Sequence, residues 1–264
     1  MSTQNEKGTA LITGASSGIG ATYAERLARR GHDLLLVARD LPRLEALAAR
    51  LSQEFGVKVE VLKADLTDAA DLQAVSQRLR GDKSISLLVN NAGMAMNGKL
   101  AEADLATVDR MILLNVVSLT HLSAAAAANF SGAGRGAIIN IASVVALAPE
   151  MFNAVYSATK AYVLSLSQTL HGEVKAQGVQ VQAVLPGITR TEIWERSGMD
   201  ESALPASMIM EVGEMVDAAL AGFDQRELVT IPSLPDAADW QALVGARGKL
   251  GPNLSHSSAA ARYK

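Results

Sequence analysis

A tyrosine and a lysine, Tyr156 and Lys160, are spaced one helical turn apart in the chain. A free phenol has a pKa of about 10 and is a poor base at neutral pH. On a helix the lysine would lie on the same face, where its ammonium is expected to lower the pKa of the phenol. Tyr156 could then give a proton to a carbonyl oxygen or remove one from an alcohol. The alternative is an exposed pair on a helix surface, because this spacing by itself is common.

Two further polar residues could belong to the same site. Ser143 follows an apolar, strand-like run, and ligands bind at the carboxyl ends of strands in open α/β sheets. Its hydroxyl could hold a substrate oxygen beside the phenol, although a serine in such a place is more often a cap or turn residue. Asn115 lies within an apolar helical pattern, where an unpaired amide would cost about 1–3 kcal/mol. It must therefore have partners, and taken alone it is more typical of a structural residue.

A glycine-rich segment near the amino terminus has the chemistry of a phosphate-binding turn. Gly14 would permit a sharp turn, Gly18 would let backbone N–H groups approach a pyrophosphate, and Gly20 would let the next helix pack closely. The N-terminus of that helix would add a partial positive charge. The spacing is G-x-x-x-G-x-G, and many such turns hold no ligand. Its position at the first strand-to-helix junction is what favours a dinucleotide.

The end of the next predicted strand bears on which dinucleotide is bound. There an acidic residue would contact the ribose 2′-hydroxyl of NAD(H), whereas an arginine would accommodate the 2′-phosphate of NADP(H). The chain has Arg39 followed by Asp40. We interpret Asp40 as the N-cap of the helix that begins before Pro42, which leaves Arg39 facing the ribose. The sequence therefore favours NADP(H), with NAD(H) as the alternative.

Short apolar runs alternate with amphipathic stretches along the chain, and this pattern predicts an α/β fold. Such alternation is typical of a doubly wound parallel sheet of about seven strands with helices on both faces. The predicted strands are Thr9–Thr13, Asp33–Ala38, Val57–Leu62, Ile85–Val89, Gly136–Ile141, Val179–Leu185 and Leu228–Ile231. No linker divides the sequence, so we expect a single domain over residues 1–264. Residues of about 245–264 are predicted to form an irregular tail.

Composition excludes several kinds of protein. The chain of 264 residues has a net charge of −3 and no basic stripe, so no nucleic acid is expected as a partner. It has no cysteine, which excludes disulfides and thiolate catalysis, and its four histidines lack ligand spacing, so no metal is expected. The apolar stretch 111–128 is interrupted by polar residues and reads as a buried helix, not a membrane span. We therefore expect a cytoplasmic protein.

Together these motifs resemble the short-chain dehydrogenase/reductase family in its single-domain form, from about Gly8 to Thr191. They follow one another in the family's order: Thr13–Gly20, Asp65, Asn90–Gly93, Asn115, Ser143, Tyr156 with Lys160, Pro186 with Gly187, and Thr191. The resemblance implies a Rossmann-like fold and an NADP(H)-dependent oxidoreductase that interconverts a ketone or aldehyde and its alcohol. One departure is Ser17, where many NADP-dependent relatives carry a lysine or arginine.

The resemblance also implies a role for each catalytic residue. Tyr156 would be the general acid and base, and Ser143 would polarise and position the carbonyl. Lys160 would lower the pKa of the tyrosine and hold the nicotinamide ribose. Asn115 would anchor a water that relays protons to Lys160.

The same resemblance implies the cofactor-binding residues. Asp65 would contact the adenine amino group, Asn91 and Gly93 would line the ribose and nicotinamide passage, and Thr191 with the backbone near Thr189 would fix the carboxamide. The full expected set is Gly14, Ser16, Ser17, Gly18, Ile19, Gly20, Arg39, Asp65, Leu66, Asn91, Ala92, Gly93, Tyr156, Lys160, Pro186, Gly187, Thr189 and Thr191.

The expected substrate is a moderately hydrophobic ketone or aldehyde without a carboxylate. Apolar and flexible side chains are expected around the carbonyl, with Met94, Val145, Met151 and Trp194 lining the substrate. The resemblance further implies a lid over the substrate at residues of about 188–212, and a homodimer or homotetramer. Three alternatives stay open: an NAD-dependent alcohol dehydrogenase, a non-catalytic dinucleotide-binding sensor, and a sugar-nucleotide epimerase or dehydratase. The last would need a larger C-terminal domain than the residues after Pro186 supply.

Overall fold

A parallel β-sheet forms the centre of the molecule. The computed structural model describes residues 7–192 and 205–264. Among these residues the sheet has seven strands in the order β3-β2-β1-β4-β5-β6-β7, and every pairing is parallel. The strands are β1 Thr9–Thr13, β2 Asp33–Ala38, β3 Val59–Lys63, β4 Ile85–Asn90, β5 Gly136–Ile141, β6 Val179–Val184 and β7 Val229–Thr230. The predicted fold class is confirmed, and β3 begins two residues later than predicted.

Eight α-helices occur in the described part of the chain. They are α1 Gly18–Arg29, α2 Leu41–Phe55, α3 Ala69–Gly81, α4 Leu105–Ile112, α5 Leu119–Ala133, α6 Ala154–Val174, α7 Val212–Asp224 and α8 Ala237–Leu250. Their ends follow the local sequence. Asp68 begins α3 by accepting hydrogen bonds from Ala70 and Asp71, and Asp104 does the same for α4. Gly56 ends α2 with a φ of 70°, the left-handed conformation that glycine adopts without strain.

The sheet is buried on both faces because alternate residues of each strand point to opposite sides. In β1, Ala10 and Ile12 pack with α1, α2 and α7, whereas Leu11 packs with α3, α5 and α6. The strands are therefore apolar almost throughout, as expected for a parallel sheet covered on both sides. This covering leaves the ends of the strands as the place where a ligand can enter.

One helical stretch of the described residues, Leu105–Ala133, is long and apolar enough by length and composition to cross a membrane. It includes α4, α5 and a π-helical turn, Leu113–Ser118, between them. In the structure 44% of its most apolar window is buried inside the protein. Leu122, Ala126 and Phe130 of this stretch pack on the sheet. Core packing accounts for its composition.

The chain divides into two compact units, residues 1–232 and 233–264. The first unit holds the sheet and helices α1–α7. The second contains α8, which begins at Asp236, where the carboxylate accepts a hydrogen bond from Ala238 N. We predicted one domain with an irregular tail from about residue 245. Helix α8 instead continues to Leu250 and is followed by short 3-10 turns at Gly251–Asn253 and Ala261–Tyr263.

Candidate active site

A candidate ligand site lies at the carboxyl ends of the strands, where the strand order reverses. Strand β1 pairs with β2 on one side and with β4 on the other, which is the point where open α/β sheets bind ligands. A cavity of about 900 Å³ opens there. Most of the predicted site residues line it: Gly14, Ser16, Ser17, Gly18, Ile19, Arg39, Asp65, Leu66, Asn91, Ala92, Gly93, Ser143, Tyr156, Lys160, Pro186, Gly187, Thr189 and Thr191. Gly20 and Asn115 support the cavity from behind its wall.

The glycine loop between β1 and α1 forms one end of this main cavity. A Cβ atom added to Gly20 would overlap the carbonyl oxygen of Gly14, so the close packing of this turn requires glycine. Gly18 has a φ of 53° and starts α1. Ser17 precedes that helix without a side-chain capping bond. The first-turn N–H groups therefore have no side-chain cap, as an anion-binding helix terminus requires.

The loops after β1 and β4 are bound tightly to each other. The Thr13 hydroxyl accepts hydrogen bonds from the backbone N–H groups of Asn91 and Ala92, each at 3.0 Å. The Asn91 amide donates in return to the carbonyl oxygens of Thr13 and Gly14, at 2.9 and 3.2 Å. These bonds position the glycine loop against the wall formed by Asn91–Gly93. Asn91 thus shapes the cavity as well as lining it.

The end of β2 has the arrangement expected for a 2′-phosphate site. Asp40 is the N-cap of α2, and its Oδ1 accepts a hydrogen bond from Arg43 N at 3.1 Å. Arg39 is left at the cavity with 63% of its side chain exposed, its Nη1 3.8 Å from Oδ2 of Asp65. Burial raises the pKa of Asp65, but hydrogen bonds from Thr67 and the charge of Arg39 bring it below its usual value. Asp65 is therefore ionised at neutral pH.

Helix α6 presents Tyr156 to the other end of the main cavity. Asn153 caps this helix by accepting hydrogen bonds from the backbone N–H groups of Val155 and Tyr156, at 3.0 and 3.1 Å. Phe152 packs edge-on against the phenol ring, with 5.2 Å between ring centroids. Ser143 follows β5 and faces the phenol oxygen as a hydrogen-bond partner. The predicted tyrosine and serine therefore meet at the cavity.

The pKa of Tyr156 moves in the direction opposite to the one we expected. Burial raises it to about 12, and the hydrogen bond with the Ser143 hydroxyl offsets only part of this increase. We expected Lys160 to lower this pKa, and that expectation is wrong for this geometry. The Lys160 Nζ lies 5.6 Å from the centroid of the phenol ring, and burial, which disfavours the charged phenolate, is the dominant cause of the raised pKa. Tyr156 is a neutral phenol at physiological pH.

Lys160 is held by a backbone group that no sequence motif indicates. Its Nζ donates to the carbonyl oxygen of Ile141, the last residue of β5, at 2.9 Å. The side chain is only 7% exposed, and burial lowers the pKa of the amine to about 8. The lysine is therefore charged at neutral pH but close to losing its proton. A single hydrogen bond to Ile141 directs it to the floor of the cavity.

Asn115 lies in the π-helical turn between α4 and α5, and its side-chain amide forms hydrogen bonds with other groups of the protein. Its Oδ1 accepts from Met94 N at 2.9 Å, and its Nδ2 donates to the Met94 carbonyl at 2.9 Å and to the Thr159 hydroxyl at 3.2 Å. These bonds fix the loop after β4 to α6. The structural reading of its side chain is therefore confirmed, and the water relay stays a prediction.

The expected substrate side of the main cavity is apolar where the structure describes it. Met94, Val145 and Met151 line it, together with Phe152. Trp194, the fourth residue we expected there, lies outside the described residues, as does part of the predicted lid of about 188–212. The described lid residues include a short β-bridge between Thr189 and Met210. The chain near Thr191 runs beside Gly18, where an added Cβ would lie 3.3 Å from Thr191 Cγ2.

Several cavity residues escaped the sequence analysis, among them Arg110, Leu114 and Glu192. Arg110 and Leu114 reach the cavity from α4 and the π-helical turn, and Glu192 reaches it from the segment after β6. Their types carry no motif, and only the three-dimensional fold brings them to the cofactor end. Across the described residues there is no cluster of three histidines, cysteines or acidic residues that could hold a metal ion.

Comparisons with known proteins show the family to which the chain belongs. A family model described as short chain dehydrogenase matches residues 8–202. A short-chain dehydrogenase from Sphingobium yanoikuyae, solved in complex with NADPH, is 59% identical over 97% of this chain and 100% of that chain, with a TM-score of 0.94. The bulky-bulky ketone specific alcohol dehydrogenase from Comamonas testosteroni is 50% identical over 97% of this chain and 98% of that one, with a TM-score of 0.90.

A curated relative gives a more distant match. The very-long-chain 3-oxoacyl-CoA reductase of Bos taurus is 34% identical over 188 residues, which are 70% of this chain and 60% of the bovine protein. The chain therefore spans less than two thirds of that relative.

Proposed function

Because the chain belongs to the short-chain dehydrogenase family and is an oxidoreductase acting on CH–OH and C=O groups, we propose that it interconverts a hydrophobic ketone or aldehyde and its alcohol with NADP(H). One observation carries the proposal. Ser143, Tyr156 and Lys160 converge on a cavity whose opposite end is a glycine loop at a helix N-terminus. A non-catalytic dinucleotide sensor has no need for such a triad.

The residues present fit NADP(H). The uncapped first turn of α1 and the glycines at 14 and 18 suit a pyrophosphate. Arg39 suits a 2′-phosphate because its planar fork binds phosphate oxygens in pairs. The Sphingobium relative that holds NADPH supports the same choice. When bound, the cofactor supplies hydride to the carbonyl carbon or accepts it from the alcohol.

Tyr156 acts as the acid in the reducing direction. With its pKa raised to about 12 by burial, the phenol keeps its proton until negative charge develops on the carbonyl oxygen, and then donates it. The Ser143 hydroxyl supplies a second donor to the same oxygen. Each preorganised donor of this kind is worth about 3–4 kcal/mol in the transition state. Both residues thus bind and orient one oxygen atom, and Tyr156 alone protonates it.

Lys160 lies beside Tyr156, at the end of the cavity where the proton is transferred. The Ile141 carbonyl holds its Nζ at 2.9 Å, and two N–H bonds of a charged ammonium remain for ribose hydroxyls. Asn115 acts through structure, since it fixes the Met94 backbone beside the cavity. The water relay through Asn115 stays part of the proposal.

The substrate we propose carries bulky apolar groups. Met94, Val145, Met151 and Phe152 offer no charged partner at the substrate end, and methionines adapt to varied ligand shapes. The Comamonas relative, which acts on bulky-bulky ketones, supports this class. An acyl thioester is the second candidate, favoured by the bovine reductase. Screening diaryl or branched aryl ketones against 3-oxoacyl-CoA compounds with NADPH separates the two.

Location and assembly complete the proposal. The cytoplasm and a homodimer or homotetramer remain our expectations, and no nucleic acid or membrane is proposed as a partner. Support for assembly comes from small and apolar residues on α5 and α6, among them Ala124 and Tyr162, which is 38% exposed.

The test of the proposed chemistry is Tyr156→Phe. Removal of the phenol oxygen deletes the proton donor but leaves the ring that packs on Phe152. We expect turnover to fall by about 10²–10⁴-fold, while the affinity for NADPH, measured by nicotinamide fluorescence, stays within about twofold. Tyr162→Phe on the same helix is the matched control, because its hydroxyl contacts Thr120 and not the cavity. Turnover that survives Tyr156→Phe would refute the acid and base role.

A further inference from the structure

An ion pair lies at the end of the main cavity where Arg39 is found. Arg43 Nη1 lies 3.0 and 2.9 Å from the two carboxylate oxygens of Glu192. Its Nε lies 3.4 Å from Oδ2 of Asp40. Asp40 and Glu192 both line the cavity. The Arg43 guanidinium is therefore held between two cavity-lining carboxylates.

The two partners come from different sides of the cavity. Arg43 belongs to the first turn of α2, which Asp40 caps. Glu192 follows Thr191, which lies beside Gly18 of the glycine loop. The segment that contains Thr191 and Glu192 therefore passes near the pyrophosphate-binding turn and is tied to α2 by the ion pair. A ligand that breaks or weakens this ion pair therefore affects both sides of the cavity.

The local charges are unfavourable for a 2′-phosphate as they stand. Two guanidinium groups, on Arg39 and Arg43, face three carboxylates, on Asp40, Asp65 and Glu192. The Arg39 guanidinium already lies 3.8 Å from the Asp65 carboxylate, so both arginines have a carboxylate partner before any phosphate binds. A phosphate monoester adds further negative charge, and it needs a cation that can leave its carboxylate. Arginine suits this exchange because phosphate and carboxylate fit the same planar fork.

We propose that Arg43 is a second recognition residue for the cofactor 2′-phosphate, and that Glu192 competes with the phosphate for it. NADP(H) then draws Arg43 away from Glu192, whereas NAD(H) leaves the pair intact. Glu192 lowers the selectivity for NADP(H) that the two arginines would otherwise confer. This inference rests on the proposed function, because it requires a dinucleotide in the main cavity.

The experiment measures dissociation constants of NADPH and NADH by nicotinamide fluorescence at one ionic strength. The variants are Glu192→Gln, Arg43→Gln and their combination, all on half-exposed side chains. We expect Glu192→Gln to tighten NADPH binding about threefold and Arg43→Gln to weaken it about tenfold, the range of one charge-assisted contact. NADH binding should stay within about twofold in every variant.

The combined variant distinguishes competition from a general charge effect. If Glu192 acts through Arg43, the gain from Glu192→Gln should vanish when residue 43 is already glutamine. Arg50→Gln is the matched control, because Arg50 lies on the same helix as Arg43 and forms comparable surface ion pairs, with Glu25 of α1 at 3.1 Å and with Glu54 of α2 at 3.2 Å. We expect it to leave both dissociation constants unchanged.

Two outcomes would overturn the inference. Equal changes in the dissociation constants of NADPH and NADH would show that the ion pair between Arg43 and Glu192 only holds the segment near Thr191 in place. Unchanged NADPH binding in Arg43→Gln, beside a weakening in Arg39→Gln, would show that Arg39 alone reads the phosphate and would leave the proposed function standing. Wild-type protein that binds neither cofactor would overturn the proposed function first.

Discussion

At the scale of single residues, the buried phenol of Tyr156 sets the pH dependence. A pKa of about 12 means that the phenolate fraction grows tenfold with each pH unit between 7 and 9, while the neutral phenol stays close to complete. Alcohol oxidation needs the phenolate and carbonyl reduction needs the phenol. We therefore expect kcat/KM for oxidation to rise about tenfold per pH unit over this range, and kcat/KM for reduction to change less than about twofold.

Steady-state rates in both directions check this expectation. Oxidation that reached a plateau below pH 8 would show that the working pKa of the tyrosine is low, as the spacing of Tyr156 and Lys160 alone suggested. The contrast shows the limit of motif reasoning. Residue types identified the pair, but the direction of the pKa shift of Tyr156 depends on burial, and the position of the lysine depends on the Ile141 carbonyl. Neither the burial of Tyr156 nor the contact of Lys160 with the Ile141 carbonyl can be predicted from the sequence.

At the scale of elements, the π-helical turn Leu113–Ser118 places Asn115 where its amide satisfies both backbone groups of Met94. Asn115→Ala would leave that N–H and carbonyl unpaired. We expect the free energy of unfolding, measured by urea denaturation, to fall by about 1–3 kcal/mol. NADPH binding should also weaken, because Gly93 and Met94 line the cavity.

Asn97→Ala is the matched control for this prediction. Asn97 lies on the same loop but is exposed, and its side chain bonds only the next backbone N–H, that of Gly98. We expect its unfolding free energy to change by less than about 0.5 kcal/mol. Equal effects of the two substitutions would contradict the bracing role of Asn115.

Elements with strong local signals were predictable. The bounds of β1, β2 and β5 agree with the apolar runs, and Asp40 caps α2 as its position before Pro42 indicates. The π-helical turn was not predictable, because nothing in its apolar residues distinguishes it from an ordinary α-helix. Helix α8 was missed because its glycines, Gly245 and Gly248, weaken the helical pattern.

At the scale of the whole molecule, the apolar core of the described chain ends before the second compact unit. The last buried residue is Thr230, and α8 contains none. We expect a chain that ends at Pro232 to unfold cooperatively in urea with an unfolding free energy within about 1 kcal/mol of the full chain. Its molar mass in solution, from light scattering, tests whether assembly needs residues 233–264. Loss of cooperative unfolding would contradict the assignment of the core to the first unit.

The place of β1 between β2 and β4 also orders events in time during synthesis. The ribosome makes β1 first and can pair it with β2 early, since Thr9 pairs with Asp33. Its other edge waits for β4, where Thr9 pairs with Ile85. At 5–20 residues per second the wait lasts on the order of 4–15 s. Throughout it the nascent chain exposes the apolar edge of β1, which open sheets must protect from aggregation, so a strand that lies inside the finished sheet first passes through a stage as an edge strand.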